Sequence, residues 1–570
     1  MSAQDGMARC IRGLWLAILP LAVACTAAQP TLPGGRNELV ETDRSPQKAI
    51  VIALSYEPAT LEPSFGSGSG NRDMSALFSG FLAYLTPDQQ PMPYLAEELP
   101  SLEKGTWKVL PDGTAETTYR LKKQARWHDG QPVTAHDYAF AHQMHLDPAM
   151  PTTKIDVDRR MAAVRPIDDQ VLFIQWKEPY LWAGMVHGPN FPALPKHLLE
   201  EQYLADKAAF ANGLHWSREF VGNGPYRLDR WEQGVEMTLR AHDGFALGKP
   251  PIDQIVLKFI PDANAIVANL LSGTVDAAFH SSISFAQNSA LEQARWQGTT
   301  EYWPGSAHYL EFQTRDWGNL QRAVLDVRVR RALLHAIDRH AIVDGLYAGK
   351  ASVLHFWLSD DDAAYRAADR AVLKYEHDVG RARALLSEAG WIRSSDGQFR
   401  DPSGEALHVP LISQNEDIDQ QQATIVADNW KTLGVSPEVR VMSPGQQRDN
   451  EYRTKIPAVA YNNRPMGYDT MVWLNPQVPM PENRWRGNNY SGYFNPVLEE
   501  LWPKVLATID NSAREALIVE ALSAMTADAI INPLHYRPRA MAYRAGLVGP
   551  QQPWVGEAAL IWNSWEWHWR

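Results

Sequence analysis

Residues 326–347 read Asp326-Val-Arg-Val-Arg-Arg-Ala-Leu-Leu-His-Ala-Ile-Asp338-Arg-His-Ala-Ile-Val-Asp-Gly-Leu-Tyr347. Apolar residues recur at i, i+4, i+7 and i+8 from Val329, which is the spacing of one helix face. Asp326 and Asp338 each stand where an N-cap is expected, so the stretch predicts two consecutive helices. Its arginines predict a solvated helix face, with Asp326 paired to Arg330 one turn on.

Strand and helix patterns alternate along the rest of the chain. Residues 49–54 predict a buried strand, and residues 308–313 predict a strand just before the quoted helices. Further on, a strand at 407–412, a helix at 419–433 and a strand at 436–441 predict a βαβ unit. The pattern predicts a mixed α/β protein.

Length and charge restrict the possible functions. A chain of 570 residues is too long for one core and predicts two or three lobes. The net charge of −12 argues against nucleic acid or an anionic membrane as the main partner. The 21 Trp and 20 Tyr either line a ligand cleft or serve scattered structural roles.

The first 48 residues predict an export signal and a tether. The apolar run at 14–24 follows Arg9 and Arg12 and is too short to span a bilayer comfortably, so residues 1–24 are interpreted as a signal peptide. Leu21-Ala-Val-Ala-Cys25 resembles a bacterial lipoprotein cleavage box with Cys25 as the acylated residue; simple secretion is the alternative. Residues 25–48 predict a flexible tether. After cleavage one Cys remains, which excludes a disulfide or a cysteine-ligated metal site within one chain.

Several motifs together resemble one known family, the family 5 extracytoplasmic solute-binding proteins, which are peptide, nickel and related substrate receptors of bacterial ABC importers. Each motif is weak alone, but their shared order and spacing cover residues 50 to 540. The motifs are Thr60-Leu-Glu-Pro63, Pro93-Tyr-Leu-Ala-Glu97, Trp127-His-Asp-Gly-Gln-Pro-Val-Thr-Ala-His-Asp137, Gly222-Asn-Gly-Pro-Tyr226, Ser272-Gly-Thr-Val-Asp276, residues 327–339 and residues 382–391.

The resemblance implies an α/β, two-lobed, periplasmic-binding-protein-like fold with a hinge and a central ligand cleft. Lobe I would comprise residues 46–304 and 538–570, with a subdomain inserted at about 91–218, and lobe II would comprise residues 305–537. The ligand would stabilise the closed state by binding it better than the open one.

The same resemblance implies the partners. These are a small solute, peptide-like or anionic, and an ABC permease in the inner membrane. The protein would be a monomer outside the cytoplasm, periplasmic or at the cell surface, anchored through Cys25, with no cofactor, resident metal or catalytic residue.

The chain departs from the family where peptide-binding members carry a Gly-Trp-x-x-Asp-Tyr stretch, whose Asp pairs with the peptide amine. Residues 457–470 lack that order, so amine recognition is not carried over. Arg453 and Arg464 are candidates for binding a carboxylate or phosphate, against the alternative of exposed ion-paired side chains. The predicted ligand-binding residues are Phe65, Ser67, Arg453, Tyr461, Asn462, Asn463, Arg464 and Asp469; Asn462 and Asn463 are equally explained as turn residues.

Metal binding and hydrolysis are two other kinds of chemistry that the residues could indicate. His128, His136, His142 and His145, of which the last two stand at i, i+3 on a predicted helix, suggest a metal site. No His-Glu-x-x-His motif accompanies the pair, and core-satisfied or solvated histidines are the preferred interpretation. The alternative function is a secreted or periplasmic hydrolase on a binding-protein-like scaffold. No Gly-x-Ser-x-Gly elbow, no Ser-x-x-Lys followed by Lys-Thr-Gly and no nucleotide loop supports it, although a glycosidase carboxylate pair is not recognisable from sequence.

Overall fold

The computed structural model describes residues 48–64, 69–152, 156–279, 282–466, 473–551 and 561–570. The predicted signal peptide, the tether up to residue 47 and Cys25 lie outside these residues. Within the described ranges, no helix is both long and apolar enough to cross a bilayer.

One large sheet of ten strands runs through the protein, in the order β16-β15-β17-β12-β18-β11-β1-β10-β9-β8. The strands are β1 (Ala49–Leu54), β2 (Ala83–Leu85), β3 (Pro91–Pro93), β4 (Trp107–Val109), β5 (Ala115–Arg120), β6 (Met161–Pro166), β7 (Val171–Trp176), β8 (Tyr226–Glu232), β9 (Glu236–Ala241), β10 (Gln254–Phe259), β11 (Ala277–Phe279), β12 (Gly298–Phe312), β13 (Ile392–Arg393), β14 (Phe399–Arg400), β15 (His408–Ser413), β16 (Ser436–Val441), β17 (Val459–Pro465), β18 (Ile531–Arg544), β19 (Leu547–Val548) and β20 (His568–Trp569).

Helices cover the sheet. They are α1 (Ser69–Phe78), α2 (Ala135–His145), α3 (Asp156–Arg160), α4 (Lys196–Ala205), α5 (Lys207–Ala211), α6 (Ala263–Ser272), α7 (Phe285–Gln293), α8 (Val327–His335), α9 (Arg339–Tyr347), α10 (Tyr365–Ala371), α11 (Val379–Glu388), α12 (Asp417–Leu433), α13 (Pro444–Arg448), α14 (Asn450–Thr454), α15 (Pro496–Ala507) and α16 (Asn511–Asp528).

The helices α8 and α9 confirm the two predicted caps. The Asp326 side chain accepts a hydrogen bond from the Arg328 amide, and Asp338 accepts one from the Ala341 amide. The prediction of a solvated arginine face is wrong for Arg330, which is 8% exposed and donates to the carbonyl oxygens of Asp528 and Val324. Asp326 pairs with Arg328 instead. The spacing of residues along α8 does not reveal that the Arg330 guanidinium reaches the carboxyl end of α16, because that contact joins segments far apart in the sequence.

The predicted βαβ unit is confirmed. Strands β15 and β16 pair in parallel, from His408 opposite Ser436 to Ser413 opposite Val441, and α12 connects them. The helix begins at Asp417, two residues before the predicted start. The unit formed as predicted because all three of its elements carry strong local signals.

Two long strands connect the halves of the large sheet. Strands β12 and β18 are antiparallel neighbours, and their register shifts between Pro304 and Ala307 and between His308 and Tyr309. A Cβ at Gly305 would lie 2.6 Å from the Arg537 carbonyl oxygen, so the two strands approach each other closely there. The chain therefore passes twice between the halves through one hydrogen-bonded ribbon.

The hydrophobic cores separate at this ribbon. The name lobe I is used for residues 48–304 and 538–570, and the name lobe II for residues 305–537. Each hydrophobic cluster among the described residues draws on one lobe only. Strands β4 to β7 form a separate four-stranded sheet within the predicted insertion. The domain boundaries themselves stay predictions.

The Gly222-Asn-Gly motif joins the insertion to lobe I. A Cβ at Gly222 would lie 2.0 Å from the Phe78 carbonyl oxygen, and one at Gly224 would lie 2.5 Å from the Ser79 amide nitrogen. Between them, Asn223 accepts a hydrogen bond from the Gly80 amide at 2.7 Å. The motif is therefore explained by backbone-to-backbone packing against the end of α1.

Candidate functional site

A cleft of about 640 Å³ lies between the lobes, beside the β12–β18 ribbon. Its volume lies in the range of small-molecule sites. From lobe I it is lined by Tyr56, which follows β1, by the start of α7, and by Arg539. Lobe II contributes Tyr347, the start of α12 at Glu416 and Asp417, and Arg537.

The lobes touch each other on one side of this cleft. The rings of Phe285 and Tyr347 meet edge to face, with centroids 5.4 Å apart. Nearby, Lys350 Nζ of lobe II lies 2.8 Å from Glu292 Oε2 of lobe I. The ammonium also stands 4.2 Å from the Tyr302 ring centroid. These contacts hold the two lobes together in the present conformation.

The cleft carries charges of both signs. Arg537 Nη1 donates to Glu416 Oε2 at 2.7 Å, and Arg539 and Asp417 also line the wall. Glu416 is the N-cap residue of α12, and its side chain makes no capping hydrogen bond to the first amides of the helix. Two carboxylates and two guanidiniums suit a solute that itself carries both charges.

A polar network lies behind the wall. Gln422 donates to the Tyr347 hydroxyl and accepts from the Tyr461 hydroxyl at 2.6 Å. The stacked rings of His308 and His535, with centroids 5.2 Å apart, belong to the two ribbon strands. Burial lowers the pKa of both histidines, that of His535 to about 4, so both rings are neutral at pH 7.

A buried carboxyl group, Asp419, lies beside this network. It is 1% exposed, and its Oδ1 lies 3.4 Å from His308 Nδ1. Burial, and after it the negative charge of Glu416, raise the pKa of Asp419 to about 7. A carboxyl group that titrates near neutrality therefore stands one helical turn behind the cleft wall.

Two of the sequence-predicted ligand residues come together in lobe II, around the buried Glu311. Asn462 Nδ2 and the Ser491 amide donate to the two Glu311 oxygens at 3.0 and 2.9 Å. Arg453 donates to the Tyr490 hydroxyl at 2.8 Å and stacks 3.8 Å from the centre of that ring. Burial raises the pKa of Glu311. The cavity these residues border measures about 10 Å³, which is too small for an organic solute.

The other predicted site residues are dispersed. Tyr461 faces the opposite side of the sheet, in the Gln422 network. Asn463 is half-buried opposite His308, and the Arg464 guanidinium stands 5.9 Å from the Trp473 ring centroid. The remaining predicted positions, which lie outside the described residues, are Phe65, Ser67, Asp469 and Cys25. The ligand-binding role of the whole set stays a prediction.

The histidine pair considered as a metal site has a structural explanation. His142 and His145 both place Nδ1 against the buried Asp158 carboxylate, at 3.1 and 3.3 Å. Among the described residues, no group of three or more His, Cys, Asp or Glu is placed to hold a metal ion.

Sequence reasoning did not identify the residues that line the cleft. Glu416 and Asp417 follow the carboxyl end of β15 after two intervening residues. Ligands of open α/β sheets bind at such strand ends. Because the sequence predicts the βαβ unit that contains β15, the same rule could have identified Glu416 and Asp417 as candidates from the sequence alone. Arg537 and Arg539 had no comparable signal, because only the pairing of β12 with β18 brings them to the cleft.

The comparison with protein families gives one match that covers more than half of the chain. The sequence model described as "Bacterial extracellular solute-binding proteins, family 5 Middle" matches residues 90–480.

Individual relatives are distant but extensive. The chain is 24% identical to the oligopeptide-binding protein AppA of Bacillus subtilis (strain 168) over 396 residues, which is 69% of each chain. It is 28% identical to protein XP55 of Streptomyces lividans over 511 residues, covering 89% of this chain and 85% of that one.

A solved structure shares the fold. NikZ from Campylobacter jejuni, in complex with Ni(L-His), superposes with a TM-score of 0.72 at 22% identity, covering 92% of this chain and 100% of the other. The two-lobed α/β fold predicted from the motifs is confirmed.

Proposed function

The chain belongs to the bacterial extracellular solute-binding proteins of family 5, and from this premise we propose that its solute is a peptide or peptide-like zwitterion, bound between the lobes and delivered to an ABC permease. Family 5 proteins are extracytoplasmic substrate-binding components of ABC importers rather than enzymes. The hydrolase alternative therefore has no support. The relative AppA, whose name specifies oligopeptides, supports the solute class.

One observation carries the proposal, namely the inter-lobe cleft with two carboxylates and two guanidiniums on its walls. A free carboxylate of the solute fits Arg539 and Arg537, and an ammonium fits Glu416 and Asp417, since charge-assisted hydrogen bonds are the strong ones in such a site. A purely anionic solute is less well matched, because the cleft has no excess of positive charge.

The proposed cycle is capture by closure. The separated cores and the paired crossing strands support a hinge at residues 304–307 and 536–538. A solute bridging Tyr56 and Arg539 to Glu416 favours the closed state only because it contacts both lobes there. Acylation of Cys25 and a monomeric state complete the proposal.

Native mass spectrometry followed by calorimetry tests this function. Protein purified without denaturation is expected to retain a small solute, and calorimetry with a peptide library is expected to give one-to-one binding with the peptide recovered unchanged. Accumulation of cleavage products would contradict the proposal. So would the absence of binding by any zwitterionic ligand.

Glu416→Gln tests the role of the cleft charges. It is expected to weaken binding of a peptide with a free amine by more than about 1 kcal/mol relative to the N-acetylated peptide, whose affinity changes only through Arg537, which Glu416 no longer engages. Glu438→Gln, which removes an exposed carboxylate on the edge strand β16, is the matched control. Equal losses for both peptides would remove Glu416 from amine recognition.

A further inference from the structure

A second pocket lies in lobe I, where the insertion meets the segment after β1. It measures about 210 Å³ and shares no lining residue with the inter-lobe cleft among the described parts of the chain. Its walls come from the loop at Glu62, from Trp127, from α4 and from residues 215–222.

Three aromatic residues, Trp127, Trp216 and Phe220, are among the residues that line the pocket. Trp127 donates its indole N–H to Asp137 Oδ2 at 3.2 Å, and Trp216 donates its own to the Phe210 carbonyl oxygen at 2.8 Å. Both indole N–H groups are therefore hydrogen-bonded within the protein, and Phe220 also lines the pocket. Such rings attract a cation placed within about 6 Å of their faces.

The charge of the pocket has a single sign. Glu62 is 1% exposed, and its Oε1 accepts hydrogen bonds from the Ser64 amide and hydroxyl; Glu219 is exposed to solvent. The described lining residues include no Lys or Arg. Burial lowers the pKa of His215 to about 4, so this lining histidine is neutral at pH 7 and does not oppose a bound cation.

The pocket narrows from an accessible edge to a buried base. Leu198, at the edge, is 39% exposed, whereas Trp127 and Trp216 are 2% and 4% exposed. A volume of 210 Å³ admits a molecule of roughly choline size but excludes a peptide of several residues, since drug-sized ligands occupy about 300 Å³ or more. Apolar walls with carboxylates at both ends suit a methylated ammonium better than a strongly hydrated metal ion.

We propose that this pocket binds a small organic ammonium ion, independently of the solute held between the lobes. The alkyl groups contact Trp127, Trp216 and Phe220, and the positive charge is balanced by Glu62 and Glu219. The proposal does not depend on the identity of the transported solute, because the two cavities have separate walls.

Choline chloride and its neutral carbon isostere, 3,3-dimethyl-1-butanol, are suitable probes for calorimetry and tryptophan fluorescence at constant ionic strength. Choline is expected to saturate one site and to bind at least about 10-fold more tightly than the isostere, since cation–π and carboxylate interactions act on the charge alone. Equal affinities, or no saturation below about 100 mM, overturn the proposal; the limit corresponds to a negligible free energy of binding.

Two variants locate the site. Glu219→Gln, at an exposed position, is expected to weaken choline binding about 3-fold or more without changing isostere binding. Trp216→Leu is expected to remove the fluorescence response, with its thermal unfolding midpoint measured to confirm folding. Unchanged choline affinity in Glu219→Gln and in a folded Trp216→Leu places the ion elsewhere.

A cleft variant separates this proposal from the proposed function. Arg539→Gln is expected to weaken peptide binding and to leave choline binding unchanged. If choline displaces the peptide competitively, the ammonium site is the cleft itself and the second pocket is ruled out. If peptides fail to bind while choline behaves as above, only the proposed solute class fails.

Discussion

At the scale of single residues, burial changes the chemistry of several polar side chains. Arg330 closes the carboxyl end of α16 by donating to the Asp528 carbonyl oxygen. Asp419 stands inside the lobe without a hydrogen-bond partner for either oxygen among the described residues. A buried group of this kind is costly when charged, so its protonation is linked to stability.

Asp419→Asn tests this linkage. The folded-state pKa of about 7 exceeds the usual value of about 3.9 in unfolded chains. The carboxyl therefore favours folding fully below pH ~4, and this contribution is lost as pH rises to ~7. The free energy of unfolding of the wild type is expected to fall relative to Asp419→Asn by about 2–3 kcal/mol between pH 5 and 8, measured by urea denaturation.

The neighbouring histidines provide an internal control. Because burial lowers the pKa of His308 and His535, they destabilise the fold as pH falls below about 6.5. The part of this effect due to His535 is the same in both proteins and cancels in their difference, whereas His308, 3.4 Å from Asp419, is coupled to the substitution. A difference that does not vary with pH would show that Asp419 is ionised throughout.

At the scale of elements, the family motif Gly222-Asn-Gly is explained by backbone packing. The glycines of Gly222-Asn-Gly lie against the backbone at the end of α1, where no Cβ fits. Large aromatic side chains behave similarly: Trp176, Trp430 and Trp502 are core residues, and no described residue lining the cleft is Trp. The structural interpretation of the many tryptophans is favoured.

Gly224→Ala is expected to destabilise the protein by about 1–3 kcal/mol, because its Cβ would meet rigid backbone at 2.5 Å. Gly345→Ala is the matched control. Gly345 lies inside α9 with nothing within 4 Å of a new Cβ, so this change is expected to stabilise by about 0.5–1 kcal/mol. Thermal and urea denaturation measure both. Similar behaviour of the two variants would contradict the packing explanation.

Elements with strong local signals were predictable from the sequence, and sites assembled from distant segments were not. The caps at Asp326 and Asp338 and the βαβ unit formed as predicted, since each depends on spacing within one short segment. The cleft joins Tyr56, Glu416 and Arg539 through strand pairings that periodicity does not encode. Arg453 and Asn462 did converge, but on Glu311, which no motif identified.

At the scale of the whole molecule, contacts across the cleft set the balance between open and closed states. The Lys350–Glu292 pair joins the lobes and is only partly buried. Pairs of this kind contribute roughly 0.2–1 kcal/mol and weaken as salt is added.

Lys350→Glu is therefore expected to weaken solute binding by about 2- to 5-fold, because repulsion from Glu292 opposes closure. The double variant Glu292→Lys/Lys350→Glu is expected to restore affinity. Lys504→Glu, which breaks an exposed pair within α15, serves as the control. Failure of the charge exchange to rescue binding would show that Lys350 acts otherwise than through this pair.

Solution scattering tests the hinge itself. Addition of a bound solute is expected to reduce the radius of gyration, because the lobes rotate about the β12–β18 ribbon. Gly305→Ala is expected to diminish that change, since its Cβ would press on the Arg537 carbonyl at 2.6 Å and hinder rearrangement of the strands. An identical radius with and without a saturating solute would argue against closure.

The position of β18 also determines the order in which the lobes can fold. Strand β18 lies between β11 and β12, and Met541, Tyr543 and Trp567 belong to the core of lobe I. The chain is synthesised from its amino terminus, and lobe II is continuous in the sequence. Lobe II is therefore complete before residues 538–570 of lobe I have been made. Lobe I must meanwhile remain an unfinished sheet, which delays its compaction until the last residues of the chain are made.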